Sequence, residues 1–154
     1  MVAVGLMLSA SLWAETVNGR QAQVTTSAST GVAHSGQRIT LAVEVNLRPG
    51  VHVYAPGVEG YIPISWTLEK SAAYEAHDVE MPAAHKLYLE AIDETAPVYE
   101  GRFRLVRDVT VGPDVHEGRL SIAGTLRYQA CDDRMCYKPE KLPLGWTLVV
   151  EPRK

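Results

Sequence analysis

The sequence predicts an all-β protein, an immunoglobulin-like antiparallel β-sandwich of about seven to nine strands. Three observations lead to this fold class: short segments of alternating apolar and polar residues, turn residues between them, and no amphipathic helical period of useful length. The clearest alternation has its apolar positions at Ile39, Leu41, Val43, Val45 and Leu47. A period of two is that of a strand with one buried face, so this segment is predicted to be a half-buried strand.

The other predicted strands follow one another with turns such as Pro49-Gly50 and Pro56-Gly57 between them. In chain order the predicted strands are residues 21–28, 39–47, 51–55, 62–68, 73–81, 103–111, 120–130 and 144–150. Trp66 is expected in the core, because a large aromatic residue on a sandwich strand usually packs inward. Residues 83–97 have no clean period and are predicted to form a long loop with a short helical turn, a kind of segment that is often functional.

Length and composition indicate one globular domain, which we assign to residues 15–154. The chain has 154 residues, of which 46% are hydrophobic and 21% charged, proportions that are ordinary for a folded domain. The net charge is −3 and the charges are scattered. No basic stripe indicates a nucleic-acid surface, so nucleic-acid binding is not expected.

Residues 1–14 are predicted to be a secretory signal peptide. They carry no charge, are too short to span a bilayer as a helix, and end in Ser11-Leu12-Trp13-Ala14. Cleavage is expected after Ala14; the alternative is a first buried strand. Export would place the protein in the periplasm or another oxidising compartment, where cysteine pairs form disulfides.

The two cysteines of the chain, Cys131 and Cys136, have four residues between them and lie between two predicted strands. A ring this small would add only roughly 2 kcal/mol in the chain-entropy model, and a domain of this size can build its own core without it. Arg134 would favour a thiolate, whereas Asp132 and Asp133 would oppose it. The spacing alone leaves open a redox-active pair, a structural disulfide, and metal binding or free thiols.

The residues around the cysteines resemble a known family. Tyr128-Gln129-Ala130-Cys131 and Cys136-Tyr137-Lys138-Pro139 resemble the active-site segment of the N-terminal periplasmic domain of the thiol:disulfide interchange protein DsbD. Weaker matches occur at residues 49–54, 79–82 and 98–101, so that the resemblance covers roughly residues 35–150. The loop between the cysteines is one residue shorter than in the best-known member. An aromatic residue caps the disulfide there, and the corresponding segment here is residues 86–94.

The resemblance implies a thiol:disulfide oxidoreductase of the protein-disulfide reductase type, without an organic cofactor. Cys136 would be the attacking thiol and Cys131 the resolving one. The expected partners are thioredoxin-like proteins, with a membrane electron transporter as the reductant. The residues expected around the disulfide are Tyr54, Tyr88, Tyr128, Arg134 and Tyr137, with Tyr88 as the candidate cap. His52 and Tyr61 are further candidates, because aromatic and acidic residues shield and tune the thiols in that family.

The alternative is a non-enzymatic sandwich domain that binds a protein or a metal, with the Cys131–Cys136 disulfide as a fixed staple. The histidines are dispersed without metal-ligand spacing, although Met81 and Met135 would suit copper. The acidic cluster Glu90, Asp93 and Glu94 is interpreted as a solvated surface. No Gly-x-Ser-x-Gly motif or glycine-rich phosphate loop occurs.

Overall fold

The computed structural model describes residues 14–153, which form an immunoglobulin-like antiparallel β-sandwich, as predicted. The strands are β1 (Glu15–Asn18), β2 (Ala22–Ala28), β3 (Val32–His34), β4 (Arg38–Leu47), β5 (His52–Tyr54), β6 (Ser65–Leu68), β7 (Tyr74–Glu80), β8 (His85–Leu89), β9 (Glu94–Glu100), β10 (Arg102–Val111), β11 (Gly118–Tyr128), β12 (Ala130–Cys131) and β13 (Glu140–Glu151). Within these residues there is no helix of the length and hydrophobicity needed to cross a membrane.

The strands form three sheets. The first has the order β1-β2-β4-β10-β7, the second β3-β13-β11-β6, and the third β12-β5-β9-β8. Neighbouring strands are antiparallel except for β3 and β13, which are parallel. The first two sheets make the sandwich, and the third sheet covers part of its core.

The core of the sandwich is built from the alternating apolar positions that the sequence indicates. On β4, Leu41, Val43 and Val45 are fully buried, and they share one cluster with the inward residues of β11 and β13. Trp66 is in this cluster, as predicted, and its ring stacks on that of Trp146 with the centroids 5.4 Å apart. Each fully buried aliphatic side chain of this kind contributes about 1.5–3 kcal/mol of transfer free energy.

Arg107 interrupts the apolar alternation of β10, and its contacts explain why a charged residue is tolerated there. Its guanidinium group donates hydrogen bonds to the carbonyl oxygens of His77 (3.0 and 2.7 Å) and Trp66 (3.1 Å). The same group lies 5.3 Å from the centroid of the Trp66 ring, within the range of a cation–π contact. The charge is therefore satisfied at the edge of the core.

The third sheet has two faces of different character. Val53, Tyr99 and Ala130 are neighbours across β5, β9 and β12, and all three pack into the core of the sandwich. Because successive side chains of a strand point to opposite faces, the residues beside them in sequence face away from that core. Tyr54 and Cys131 lie on this outer face in a second, smaller buried cluster.

The structure differs from the sequence prediction at residues 83–97, which form not a loop but most of the β8–β9 hairpin, with its tip at residues 90–93. The period of two is hidden because Pro97 interrupts the apolar positions of β9 and because β8 is largely exposed. The thirteen strands within residues 14–153 exceed the expected range partly because short strands such as β1 and β3 carry no sequence signal. The predicted signal peptide falls almost wholly on residues 1–13, outside the described residues.

Candidate functional site

Cys131 and Cys136 form a disulfide that closes a short hairpin, with their Cα atoms 4.0 Å apart. The backbone N–H of Asp132 donates to the carbonyl oxygen of Met135 at 2.9 Å. Outside the ring, the N–H of Tyr137 donates to the carbonyl oxygen of Ala130 at 2.8 Å. The two cysteines therefore sit opposite each other, as the geometry of a disulfide requires.

The Asp132 carboxylate organises the loop between the cysteines. Its Oδ1 accepts the backbone N–H groups of Arg134 and Met135, both at 2.8 Å, and its Oδ2 accepts the Tyr137 hydroxyl at 2.6 Å. These hydrogen bonds, with that of Tyr137 first, hold the pKa of the Asp132 carboxyl below its usual value. A negative charge is thus fixed beside the disulfide.

The two sulfur-bearing residues differ in exposure. Cys131 is 1% exposed, at the end of a strand in the third sheet, whereas Cys136 is exposed at the end of the loop. An incoming thiolate must approach a disulfide sulfur directly, so access decides which sulfur is attacked. Cys136 is the accessible one.

The disulfide borders a cleft of about 620 Å³ on the outer face of the third sheet. The lining comes from the turn into β5, from β5 itself, from the segment between β5 and β6, from the β8–β9 hairpin, and from the cysteine loop. The lining residues are Gly50, His52, Tyr54, Tyr61, residues 87–92, Glu100 and residues 131–136. A concave site lined mainly by apolar side chains with a few polar groups is typical of binding and active sites.

A turn at residues 48–51 leads the chain into β5 beside this cleft. The N–H of Val51 donates to the carbonyl oxygen of Arg48 at 3.2 Å. Gly50 has a φ of 78°, in the left-handed region that glycine adopts without a Cβ clash. The Pro49-Gly50 signal in the sequence therefore positions the strand that carries two of the lining residues.

Three of the aromatic rings that line the cleft, those of His52, Tyr54 and Tyr61, pack against one another. Tyr54 is buried and stacks on Tyr61 with the centroids 4.1 Å apart, and it makes a T-shaped contact with the ring of His52, with the centroids 5.4 Å apart. The Tyr61 hydroxyl donates to Glu94 Oε2 at 3.2 Å. Burial raises the pKa of the Tyr54 phenol, so that ring stays neutral beside the disulfide.

His52 lies directly between Cys131 and Glu100 in the cross-strand register of the third sheet. It is 3% exposed, and its Nε2 atom is buried without a hydrogen-bond partner in the described part of the chain. Burial lowers the pKa of the imidazole, although the charges of Glu100 and Asp132 act in the opposite direction. The Glu100 carboxylate is itself 2.7 Å from Nε2 of His85, at the surface.

The β8–β9 hairpin and the cysteine loop place exposed apolar groups at the cleft. Tyr88 is 55% exposed, and its hydroxyl donates to Asp93 Oδ1 at 2.6 Å. Asp93 has a φ of 51°, a conformation that Asp tolerates better than most residues. Ile92 on the tip and Met135 on the cysteine loop are also exposed.

The structure brings together five of the seven site residues chosen from the sequence: Cys131, Cys136, Tyr54, Tyr88 and Arg134 all line the cleft. His52 and Tyr61, the further candidates, line it as well.

Tyr128 and Tyr137 are not among the lining residues. Tyr128 is buried in the core of the sandwich, where its hydroxyl donates to Glu140 Oε2 at 2.9 Å, and Tyr137 supports the loop through Asp132. Sequence proximity suggested both, but strand alternation turns Tyr128 to the face opposite Cys131.

Sequence reasoning missed Glu100 and the exposed Ile92 of the hairpin tip. Glu100 becomes a neighbour of His52 only through the pairing of β5 with β9. No local pattern in a single sequence encodes that register. Residues 14–153 contain no cluster of three or more His, Cys, Asp or Glu side chains placed to hold a metal ion.

Comparison with known families identifies a relationship over most of the chain. The family model described as "Thiol:disulfide interchange protein DsbD, N-terminal" matches residues 19–143. A search of curated proteins finds no match.

Solved structures resemble the fold at low sequence identity. The N-terminal periplasmic domain of ScsB from Proteus mirabilis has a TM-score of 0.60 and 18% identity, covering 87% of this chain. The chain spans 49% of that ScsB chain. The GAE domain of GGA2p from Saccharomyces cerevisiae has a TM-score of 0.50 and 7% identity, covering 86% of this chain and 96% of its own.

The reduced DsbD N-terminal domain of Neisseria meningitidis has a TM-score of 0.45 and 16% identity, covering 75% of this chain and 78% of its own. At such identities these likenesses concern the fold and not the activity.

Proposed function

The chain belongs to the family of DsbD N-terminal domains, and from this premise we propose that it is an exported thiol:disulfide exchange module. It passes electrons between thioredoxin-like partners through Cys131 and Cys136. Family membership and the Cys131–Cys136 disulfide fit such a module. The class of enzyme is a protein-disulfide reductase.

The observation that carries the proposal is the unequal exposure of the two cysteines at one cleft. A disulfide made only to stabilise a fold gains nothing from presenting one of its cysteines to solvent beside a cleft of about 620 Å³. An exchange disulfide needs that arrangement, because one sulfur must be reached by a partner's thiolate while the other remains within reach of the first.

In the proposed reaction Cys136 is the attacking thiol and Cys131 the resolving one. The Cys136 thiolate attacks one sulfur of a partner's disulfide, and the partner's other sulfur leaves as a thiolate. Cys131 then attacks Cys136, the bond to the partner breaks, and the Cys131–Cys136 disulfide forms. Two electrons have moved from this chain to the partner. A reductant restores the dithiol by the reverse sequence of steps.

The partners are proposed to be thioredoxin-like proteins, with a membrane electron transporter as the reductant. Tyr88, Ile92 and Met135 form an exposed apolar rim around the cleft. Exposed apolar side chains grouped at a cleft are typical of a surface that docks another protein. An exported location, periplasmic in a bacterium, is consistent with a disulfide in the chain and with the periplasmic ScsB domain that shares the fold.

Tyr88 is proposed to shield the disulfide from small thiols, and Arg134 to favour the Cys136 thiolate. Both residues line the cleft. The tie between the Tyr88 hydroxyl and Asp93 would hold the ring on the hairpin until a partner displaces it. A guanidinium close to a sulfur favours the anion, which would offset the charge that Asp132 places in the same loop.

Trapping of the mixed disulfide tests the proposal. The reduced Cys131→Ser variant, incubated with an oxidised thioredoxin-like protein, should accumulate a covalent complex through Cys136, because the resolving thiol is missing. The matched Cys136→Ser variant should trap none, since its remaining thiol is buried. If neither variant forms a complex while both remain folded, the exchange function is wrong and the disulfide is a staple.

A further inference from the structure

Glu100, His52 and Cys131 form a row across three strands of the third sheet. His52 on β5 pairs with Glu100 on β9 on one side and with Cys131 on β12 on the other. Directly opposed residues of antiparallel strands have their Cβ atoms about 4.5–5.5 Å apart on the same face. All three residues line the cleft, so the imidazole is a direct neighbour of the buried sulfur.

The hydrogen-bonding state of His52 indicates what this neighbour does. Its Nε2 atom is buried without a partner among residues 14–153 while the cysteines are joined. A buried polar atom without a partner keeps the full cost of its desolvation. A disulfide sulfur has no proton to donate, but reduction gives Cys131 an S–H group. The reduced state thus supplies a donor on the residue that the sheet pairs with His52.

We propose that His52 is the general base that removes the proton from the Cys131 thiol when Cys131 resolves the mixed disulfide. The inference rests on the proposed exchange function, since it concerns one step of that reaction. Burial disfavours a thiolate, so a resolving cysteine that is 1% exposed needs a base at hand. His52 is the titratable side chain that the sheet pairs with it.

The S–H bond of Cys131 breaks, its proton passes to the imidazole, and its electron pair forms the bond to the Cys136 sulfur. The bond between Cys136 and the partner breaks, and the partner's sulfur leaves as a thiolate with the bonding pair. The imidazolium then releases the proton to solvent. In the reverse direction an imidazolium would protonate Cys131 as it leaves the disulfide.

The groups that face His52 from the surrounding elements set its proton affinity. Glu100 on β9 and Asp132 on the cysteine loop favour the imidazolium, whereas burial and the charge of His85 on β8 oppose it. The Tyr54 ring meets it from the same strand. Burial is the largest influence and lowers the pKa of His52, so the imidazole is neutral and able to accept a proton at neutral pH.

Reaction of the reduced protein with one equivalent of 5,5′-dithiobis(2-nitrobenzoate) separates the steps. The first thionitrobenzoate is released when Cys136 attacks, in a bimolecular phase. The second is released when Cys131 resolves the mixed disulfide, in a phase whose rate is independent of reagent concentration. His52→Gln should slow the second phase at least about tenfold and leave the first within about twofold.

The pH profile distinguishes a base from a merely structural side chain. In the wild-type protein the second phase should accelerate as His52 loses its proton, at a pH below about 6.5, and then level off. In His52→Gln it should rise about tenfold per pH unit until the thiol itself ionises. His77→Gln is the matched control, because His77 is a half-buried histidine bound to Thr110 outside the cleft, and its profile should equal that of the wild type.

Glu100→Gln tests the same step with His52 in place, should His52→Gln fail to fold. Loss of the carboxylate removes a charge that favours the imidazolium, so the midpoint of the profile should move to lower pH, while Glu94→Gln should not move it. Equal second phases and profiles in the wild type and His52→Gln, or an unmoved midpoint in Glu100→Gln, would overturn the inference alone. A wild-type protein that releases no second thionitrobenzoate would overturn the exchange function, and the inference with it.

Discussion

The two faces of the third sheet differ although they are made by the same short strands. On the inner face Val53, Tyr99 and Ala130 join the core of the sandwich. On the outer face, one residue away along each strand, lie His52 and Cys131. The inner row is apolar apart from one phenol, and the outer row carries the sulfur and the imidazole.

The difference shows how a β-sandwich separates stability from chemistry. Alternation sends every second side chain to the opposite face, so a strand can hold the fold with one set of residues and carry a site with the other. Packing of the inner residues fixes where β5, β9 and β12 lie. The positions of the outer side chains follow from those of the strands that carry them. Substitutions on the two faces should therefore have different consequences.

Cys136→Ser on the outer side should produce the largest change in function. Exchange with an oxidised thioredoxin-like protein should be lost completely, because the accessible sulfur is gone. The free energy of unfolding should fall by only about 2 kcal/mol, the value expected for a ring of this size. Stopped-flow exchange assays and urea unfolding measure the two effects. Failure of the variant to fold would contradict the assignment of stability to the inner face.

Tyr99→Ala on the inner face should do the reverse. Tyr99 is buried, stacks on Phe103 at 4.8 Å and donates its hydroxyl to the Pro82 carbonyl oxygen at 2.8 Å. Its truncation should cost about 3–5 kcal/mol, measured by urea unfolding, whereas Tyr99→Phe should cost only about 1 kcal/mol. The exchange rate per folded molecule should stay that of the wild type. A rate that falls with stability would contradict the claim that the inner face serves stability and the outer face serves exchange.

Tyr88→Ala should have a smaller effect, limited to the access of small thiols to the disulfide. With the ring removed from β8, reduction of the disulfide by dithiothreitol should accelerate a few-fold, on the order of 1 kcal/mol in the barrier. The free energy of unfolding should hardly change, because the side chain is 55% exposed. Lys86→Ala, on the same strand but absent from the cleft lining, is the control. Equal reduction rates would exclude Tyr88 as the shield.

Asp132→Asn should give the smallest effect, visible as a pH dependence of stability. The folded protein holds the pKa of Asp132 below its unfolded value, so the carboxylate stabilises the fold above about pH 3.9. That contribution is lost as the pH falls through the depressed folded-state pKa. The wild-type protein should exceed the variant in urea stability at neutral pH, and the difference should disappear in acid. A constant difference would show that the loop does not depend on the charge.

The sequence predicted most of the sandwich because its strands obey a simple period. Residues 39–47 and 120–130 each place one face in the core, and their alternation is visible without a structure. The β8–β9 hairpin could not be predicted this way, since one of its strands is exposed and the other contains Pro97. A hairpin held by long-range pairing leaves little local signal.

The residues of the site were predictable only where a local sequence pattern carries them. The cysteine pair and Tyr54 are carried by a local motif, so sequence resemblance found them. The row of Glu100, His52 and Cys131 depends on the register of three strands that are distant in sequence. Register is set by the whole packed sheet, and no single segment contains it.

The equilibrium reduction potential of the Cys131–Cys136 disulfide tests the central claim most directly. The protein would be equilibrated in glutathione or dithiothreitol buffers of graded potential, and its thiols trapped and counted. An exchange module should have a potential between about −180 and −270 mV, the range of known thiol oxidoreductases. A value well below about −300 mV would contradict the account and make the disulfide a fixed staple in a binding domain.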